Sequence, residues 1–320
     1  MQTNAAKQNK TPLIVLTGPT AVGKTALSVR LAKALDAEII SADSMQVYRG
    51  MDIGSAKIRK EEMDGVRHHL IDVLDPEDEF NVVLFQKLAK EAIKEITGRG
   101  KIPILAGGTG FYIQAVLYDI DFTETNEDTS YRTYLEELAQ KEGNEVLHRI
   151  LEERDPKAAE AIHANNVKRV IRALEFFEQT GEKISEHNEE QQEKESAYDS
   201  CYFVLTDDRA RMYERIDRRV DIMLEEGLVE EVTRLKEQGC DRNLVSMQGL
   251  GYKEILAYLE GEHDLERAVY LIKRDTRHFA KRQLTWFKRE KDVIWVDRRN
   301  FMDENEILQF LIDTWRNKER

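Results

Sequence analysis

"GPTAVGKT", residues Gly18 to Thr25, follows the apolar run "PLIVLT" and satisfies the spacing GxxxxGKT at every fixed position. A β-type run that feeds a glycine turn and opens a helix lets successive backbone N–H groups converge on an anion. Gly18, Pro19, Thr20, Ala21, Val22 and Gly23 form the backbone cradle, Lys24 adds a point charge, and the Thr25 hydroxyl is placed to hold Mg2+. The pattern specifies a diphosphate and leaves its identity open, with ATP and GTP as the usual occupants.

Outward from this loop, apolar β-type runs recur at Leu13–Thr17, Glu38–Ser41, His69–Val73, Ile102–Ala106, Tyr202–Leu205 and Val293–Val296, with helical stretches between them. Such alternation predicts an α/β fold, a P-loop-type parallel sheet flanked by helices. The rhythm stops between Asp119 and Ala197, where "TSYRTYLEELAQKEG", "EVLHRILEERD", "PKAAEAI" and "NVKRVIRALEFFEQTG" read as short helices without a strand. An inserted helical subdomain over 119–197 would divide the core into 1–118 and 198–320. The polar "SEHNEEQQEKES" closing the insert reads most simply as a mobile tether, a solvated helix being the alternative.

The 320 residues, 41% hydrophobic and 34% charged, suit a soluble globular protein with a sizeable core. The start "MQTNAAKQNK" has no apolar stretch of signal-peptide length, and no run approaches a membrane span, so the cytoplasm is expected. Cys201 and Cys240 lack any CxxC or paired Cys/His spacing, which leaves two buried or free thiols.

A net charge of −13 argues against a nucleic-acid partner, but the charge is unevenly spread. Arg267 to Lys291 holds nine basic and two acidic residues, a local +7. There "RHFAKRQLTWFKRE" interleaves Phe279, Trp286 and Phe287 with cations, as an RNA-tracking surface does. An amphipathic helix with a basic solvent face has the same letters.

An ATPase or kinase of this architecture carries an acid at the end of a later strand. Here "KIPILAGG" ends without one, and the acid comes early, in "SADSMQVYRGMDIG" after "EII". Ligands of doubly wound sheets collect at the carboxyl ends of strands, so Asp43 should face the P-loop in a base's position. The alternative is an Asp that merely begins a turn.

"GPTAVGKT", "SADSMQVYRGMDIGSAK", "LAGGTGFYIQAVL", "RIDRRVDIMLEEGLVEEV", "QGLGYKE" and "FAKRQLTWF" occur in the order seen in bacterial tRNA dimethylallyltransferases, and the chain resembles that family from about Pro12 onward. The resemblance implies that the loop holds dimethylallyl diphosphate with Mg2+ and that the acceptor is the exocyclic amine of an anticodon-loop adenosine in tRNA. It implies catalytic roles for Asp43, Thr109 and Arg219, with Arg215 and Arg218 as neighbours of the last. It also implies tRNA contacts at Asp43, Ser44, Met45 and Gln46, at Lys168, Arg169 and Arg172 on the insert, at Gln248, Gly251 and Tyr252, and at Lys281, Arg282, Gln283 and Trp286. Lys168 stands where glutamine is common in the family, and Gln248 where cysteine is common. A monomer working in the cytoplasm, away from membranes, is expected. A small-molecule P-loop kinase, a non-catalytic RNA-binding protein and a prenyltransferase acting on free adenine nucleotides remain as rival readings.

Overall fold

The computed structural model describes residues 10–122 and 130–318. The N-terminal stretch before Lys10 and the expected start of the first insert helix, including Thr129, lie outside them. In chain order the core runs β1 (Pro12–Thr17), α1 (Lys24–Leu35), β2 (Ala37–Ala42), β3 (His68–His69), α2 (Val82–Gly98), β4 (Ile102–Gly107) and α3 (Gly110–Leu117). Five helices follow: α4 (Ser130–Glu142), α5 (Asn144–Arg154), α6 (Pro156–Ala161), α7 (Val167–Thr180) and α8 (Ile184–Glu193). The core resumes with β5 (Asp199–Thr206), α9 (Arg209–Glu225), α10 (Leu228–Glu237), α11 (Tyr252–Leu259), α12 (Leu265–Phe287), β6 (Val293–Asp297) and α13 (Glu304–Lys318). The chain divides into two compact units, Met1–Leu117 with Ser196–Arg320 and Tyr118–Glu195.

The six strands form one parallel sheet in the order β3-β2-β4-β1-β5-β6. Parallel strands covered on both faces must be apolar throughout, and β1 is: Leu13, Ile14, Val15 and Leu16 are fully buried. Helices α1 and α13 pack with the sheet in one apolar cluster that runs from Leu27 and Leu31 to Leu311 and Trp315. The order places the carboxyl ends of β2, β4 and β1 side by side, and the loops after these three strands build the site.

Two expectations fail. His69–Val73 was expected as a strand, yet only His68 and His69 pair with β2. Leu70 and Asp72 turn to positive φ of 63° and 54°, and the chain then bonds to the loop after β2, through Val73 N to Val47 O at 2.9 Å and Arg49 N to Leu74 O at 2.8 Å. The apolar letters belong to a loop clamp, not to the sheet. The polar "SEHNEEQQEKES" is not a tether but takes the alternative reading, helical through Glu193 as α8. Its first turn is held by Asp155, which accepts from Ser185 N at 2.9 Å and Ser185 Oγ at 2.6 Å. Cys201 and Cys240 are buried, and neither is in a disulfide among the described residues. No described helix is long and apolar enough to cross a membrane.

Candidate active site

The loop after β1 folds back over the start of α1, with Gly18, Ala21 and Gly23 at φ of 146°, 60° and 92°. Helix α1 begins at Gly23 without a side-chain cap, so its first N–H groups stay available to an anion. Lys24 Nζ donates to Gly18 O at 2.9 Å and Pro19 O at 2.8 Å, which holds the ammonium over the loop. The Thr25 hydroxyl makes no hydrogen bond among the described residues, and Thr25 is exposed on the first turn.

Across the carboxyl edge of the sheet, Lys24, Thr25, Asp43, Gln46, His68 and Gly107 line one cavity. Asp43 Oδ1 accepts from Met45 N at 2.9 Å, which fixes the carboxylate at the head of the loop after β2. Ser44, Met45 and Gln46 beside it are half-buried, and Gln46 Oε1 accepts from Ser41 Oγ at 3.2 Å. Thr109 follows the middle strand, β4. Its N–H bonds to Ala42 O at 3.2 Å, while its own hydroxyl has no hydrogen bond among the described residues. This close approach requires glycine at position 107, where a Cβ would lie 2.2 Å from Ala42 O. Arg219, on α9, donates to Ala56 O at 3.5 Å.

Lys24, Asp43 and Arg219 lie within electrostatic reach of one another. Burial brings the pKa of Lys24 down to about 7, with Asp43 opposing the shift and Arg219 adding to it. Burial also lowers the pKa of Arg219, again opposed by Asp43. One carboxylate therefore offsets the desolvation of two cations.

A diphosphate entering the loop would favour the Lys24 ammonium and raise its pKa, so binding near neutral pH takes up protons. The Lys24 contribution to affinity should therefore be flat below about 7 and fall as pH rises above it, until the pKa of the bound state is passed. Calorimetry across pH 6–9 (an approximate window about the neutral range) in buffers of different ionisation heat should show this uptake. Lys24→Arg, which does not titrate there, should retain only the ligand's own phosphate protonation near pH ~6. Identical uptake by both proteins would remove Lys24 from the linkage.

Comparison with known proteins decides the family. Residues 46–290 match the family described as IPP transferase. The chain is 65% identical over 308 residues to a tRNA dimethylallyltransferase of Lachnoclostridium phytofermentans, covering 96% of this chain and 98% of that one. The chain belongs to the IPP transferase family. A tRNA dimethylallyltransferase of Bacillus cytotoxicus is 51% identical, covering 95% of this IPP transferase and 96% of the relative. The solved tRNA isopentenylpyrophosphate transferase of Bacillus halodurans is 46% identical with a TM-score of 0.72, covering 97% and 98% of the two chains. A solved eukaryotic dimethylallyltransferase acting on tRNA has 32% identity and a TM-score of 0.79, covering 90% of this chain and 74% of that one. The six-stranded parallel sheet is thus the α/β fold of solved IPP transferases.

Several residues expected to touch RNA are committed inside this IPP transferase instead. Tyr252 is fully buried, and its hydroxyl donates to Glu231 Oε1 at 2.7 Å. Glu231 also accepts from Asp52 N, Ile53 N and Gly54 N at 3.0, 2.9 and 3.1 Å, so the pair pins the loop that follows Asp43. Gly251 is buried, and its N–H bonds to Glu254 Oε2 at 2.8 Å. Gln283, only 6% exposed, bridges the loops after β1 and β4: Oε1 accepts from Thr20 N at 2.9 Å and Nε2 donates to Gly108 O at 2.9 Å. The amide orders the P-loop against the Thr109 turn. Gln248 is exposed and donates through Nε2 to Arg242 O.

The +7 segment is also divided by its surroundings. Lys273 pairs with Asp221 at 2.5 Å and Arg277 with Asp217 at 2.5 Å, both acids on α9, while Arg274 pairs with Asp275 at 2.8 Å. Lys281, Arg282, Lys288 and Arg289 are exposed and form no ion pair among the described residues. Apart from Arg267, which lies over the Tyr270 ring in the first turn, the cations without an ion pair among the described residues lie toward and just beyond the C-terminal end of α12. Lys281, Arg282, Trp286 and Arg289 line a depression there, with the Trp286 indole edge-on to Phe111 at 6.1 Å. On α7, within the helical unit, Lys168 and Arg169 are exposed and Arg172 is half-buried, and none of the three is ion-paired among the described residues.

Arg215 and Arg218 separate. Arg218 is exposed, while Arg215 reaches the P-loop backbone and Asp207. Asp207, Glu231 and Arg298 escaped the sequence reading. Asp207 carried a usable signal, an acid directly after the apolar run of β5 in "FVLTDD". Nothing local marks Glu231, whose partners lie in a loop far back in the chain.

Proposed function

We propose that this IPP transferase moves the dimethylallyl group of dimethylallyl diphosphate onto N6 of an anticodon-loop adenosine in tRNA, with Asp43, Thr109 and Arg219 at the reacting atoms. The carrying observation is that Lys24 and Asp43 line one cavity, over the carboxyl ends of β1 and β2 on either side of β4, with Asp43 also offsetting the desolvation of Arg219. In the transfer the allylic C–O bond breaks and its electron pair leaves with the diphosphate, as the N6 lone pair forms the new C–N bond. Loop amides, Lys24 and Arg219 meet the growing negative charge, which fixed donors stabilise most effectively. Asp43 orients the amine and accepts the proton that it loses. The Thr109 hydroxyl, which has no hydrogen bond among the described residues, bonds near the reacting atoms.

Thr25 Oγ1, exposed and unbonded on the cavity wall that also carries Asp43, is a hard oxygen donor of the kind Mg2+ takes together with phosphate oxygens. The residues therefore fit Mg2+, with Thr25 holding it; when bound, the ion neutralises part of the diphosphate charge. The tRNA lies on the unpaired cations of α12 and on Lys168, Arg169 and Arg172 of the helical unit, and the target base is flipped out of its stack. The compartment is the cytoplasm, where such tRNA is met.

Labelled dimethylallyl diphosphate with total tRNA, followed by digestion to nucleosides, should place the label on adenosine. Label on free adenine nucleotides alone, or phosphate release from ATP without transfer, would overturn this reading. Salt dependence tests the RNA face separately. Lys281→Gln and Arg282→Gln should each weaken tRNA binding and lower the log–log salt slope by about 0.7–0.9 for every phosphate that is no longer neutralised. Lys273→Gln and Arg277→Gln, at cations already paired with acids, should leave the slope alone. Equal effects of both pairs would remove the assignment of α12's two ends.

A further inference from the structure

The outer face of the P-loop carries a device that the transfer chemistry does not use. Ala21 holds φ at 60°, a left-handed conformation disfavoured for any residue with a Cβ. Two guanidiniums donate to consecutive carbonyls at this turn, Arg215 Nε to Ala21 O at 2.9 Å and Arg298 Nη1 to Val22 O at 3.2 Å. Both lead to one carboxylate: Asp207 Oδ2 lies 2.7 Å from Arg215 Nη2 and 3.9 Å from Arg298 Nε. The Asp207 side chain is only 3% exposed, and its other oxygen accepts from Asp208 N at 2.7 Å. Glu304 holds the far end of Arg298 at 2.6 Å. The Arg298 side chain also fills the space beside Gly23, where a Cβ would lie 2.9 Å from Nη1.

In a planar trans peptide the C=O and the following N–H point in opposite directions. Anchoring the carbonyls of Ala21 and Val22 outward therefore turns the N–H groups of Val22 and Gly23 inward, toward the anion. The three side chains come from different elements: Asp207 directly follows β5, Arg215 lies on α9 one turn before Arg219, and Arg298 directly follows β6. We propose that Asp207, Arg215 and Arg298 are positioning residues that lock the P-loop in its anion-binding conformation from its outer face, a role that rests on the diphosphate reading of the loop.

The test measures inorganic diphosphate affinity by calorimetry and tRNA affinity by filter binding, on the full chain. Arg215→Met and Arg298→Met should each weaken diphosphate binding by about tenfold, the scale of one hydrogen bond from a charged donor, and leave tRNA affinity unchanged. Arg215→Lys, which keeps the charge beside Asp207 but not the two-ended guanidinium, should lose in the same direction, and it carries the test if the methionine variants do not fold. The specific signature is coupling. In an Ala21→Gly background, where positive φ is no longer disfavoured, the loss caused by Arg215→Met should shrink. Unchanged diphosphate affinity in the Arg215 and Arg298 variants would overturn the proposal. So would an equal fall for tRNA and diphosphate, or an undiminished loss in the Ala21→Gly background. Failure of the wild-type chain to bind inorganic diphosphate would instead overturn the functional reading, so the two failures are distinct.

Discussion

Asp43→Ala is expected to lower turnover by about 10²–10⁴-fold, the range for a positioned proton acceptor, while tRNA affinity changes little. Asp43 also holds a turn, since Oδ1 accepts from Met45 N at 2.9 Å, so the alanine variant mixes loss of a base with loss of a local hydrogen bond. Asp43→Asn separates them. Its amide oxygen can still accept from Met45 N but cannot take a proton from the adenine amine, and the rate should fall nearly as far as in the alanine variant. Diphosphate affinity should not fall, because the negative charge facing Lys24 and Arg219 is gone. Single-turnover kinetics with saturating substrates would read the chemical step directly. Wild-type turnover in Asp43→Asn would end the assignment.

Arg219→Gln is expected to lower kcat by about 10²–10³-fold, as removal of an oxyanion donor does, with a smaller change in KM for dimethylallyl diphosphate. The reasoning is one of timing. The intact diphosphate is already met by loop amides and Lys24, and the charge that remains to be stabilised appears only as the C–O bond lengthens. Arg219 is desolvated by burial within reach of Asp43, and a fixed cation in such surroundings is worth more than in water. Arg219→Lys should recover only part of the rate, because a compact ammonium does not reproduce the planar fork. A rise in KM with unchanged kcat would make Arg219 a ground-state ligand.

The sheet was legible because its central strands are largely buried on both faces and so appear as apolar runs between helices. The same rule misled at His69–Val73, where Val73 is exposed and the backbone clamps onto the loop after β2 instead of continuing to pair in the sheet. Helix α8 was obscured for the opposite reason. Its residues are mostly polar, and what fixes its start is Asp155, thirty positions earlier. At the site, loop residues could be read locally, since their spacing is their chemistry. Gln283, Tyr252 and Gly251 could not. Each sits in a motif that invites an RNA contact, and only the tertiary structure shows that their hydrogen bonds are already taken by Thr20 and Gly108, Glu231 and Glu254. Likewise a charge sum along α12 counts Lys273 and Arg277 as free, because their acids belong to α9.

The P-loop lies near the start of the chain, but Gln283 reaches it across 263 positions and Arg298 across 276. During synthesis the glycine turn emerges early, long before the side chains that hold it. A nascent chain that ends before β6 has the loop's letters without the Arg298 contact. Contacts this distant in sequence form late and slowly, since long stretches must be ordered first. The capacity to grip diphosphate should therefore appear as one of the last events of folding, and an incomplete chain released from the ribosome should not sequester the allylic substrate.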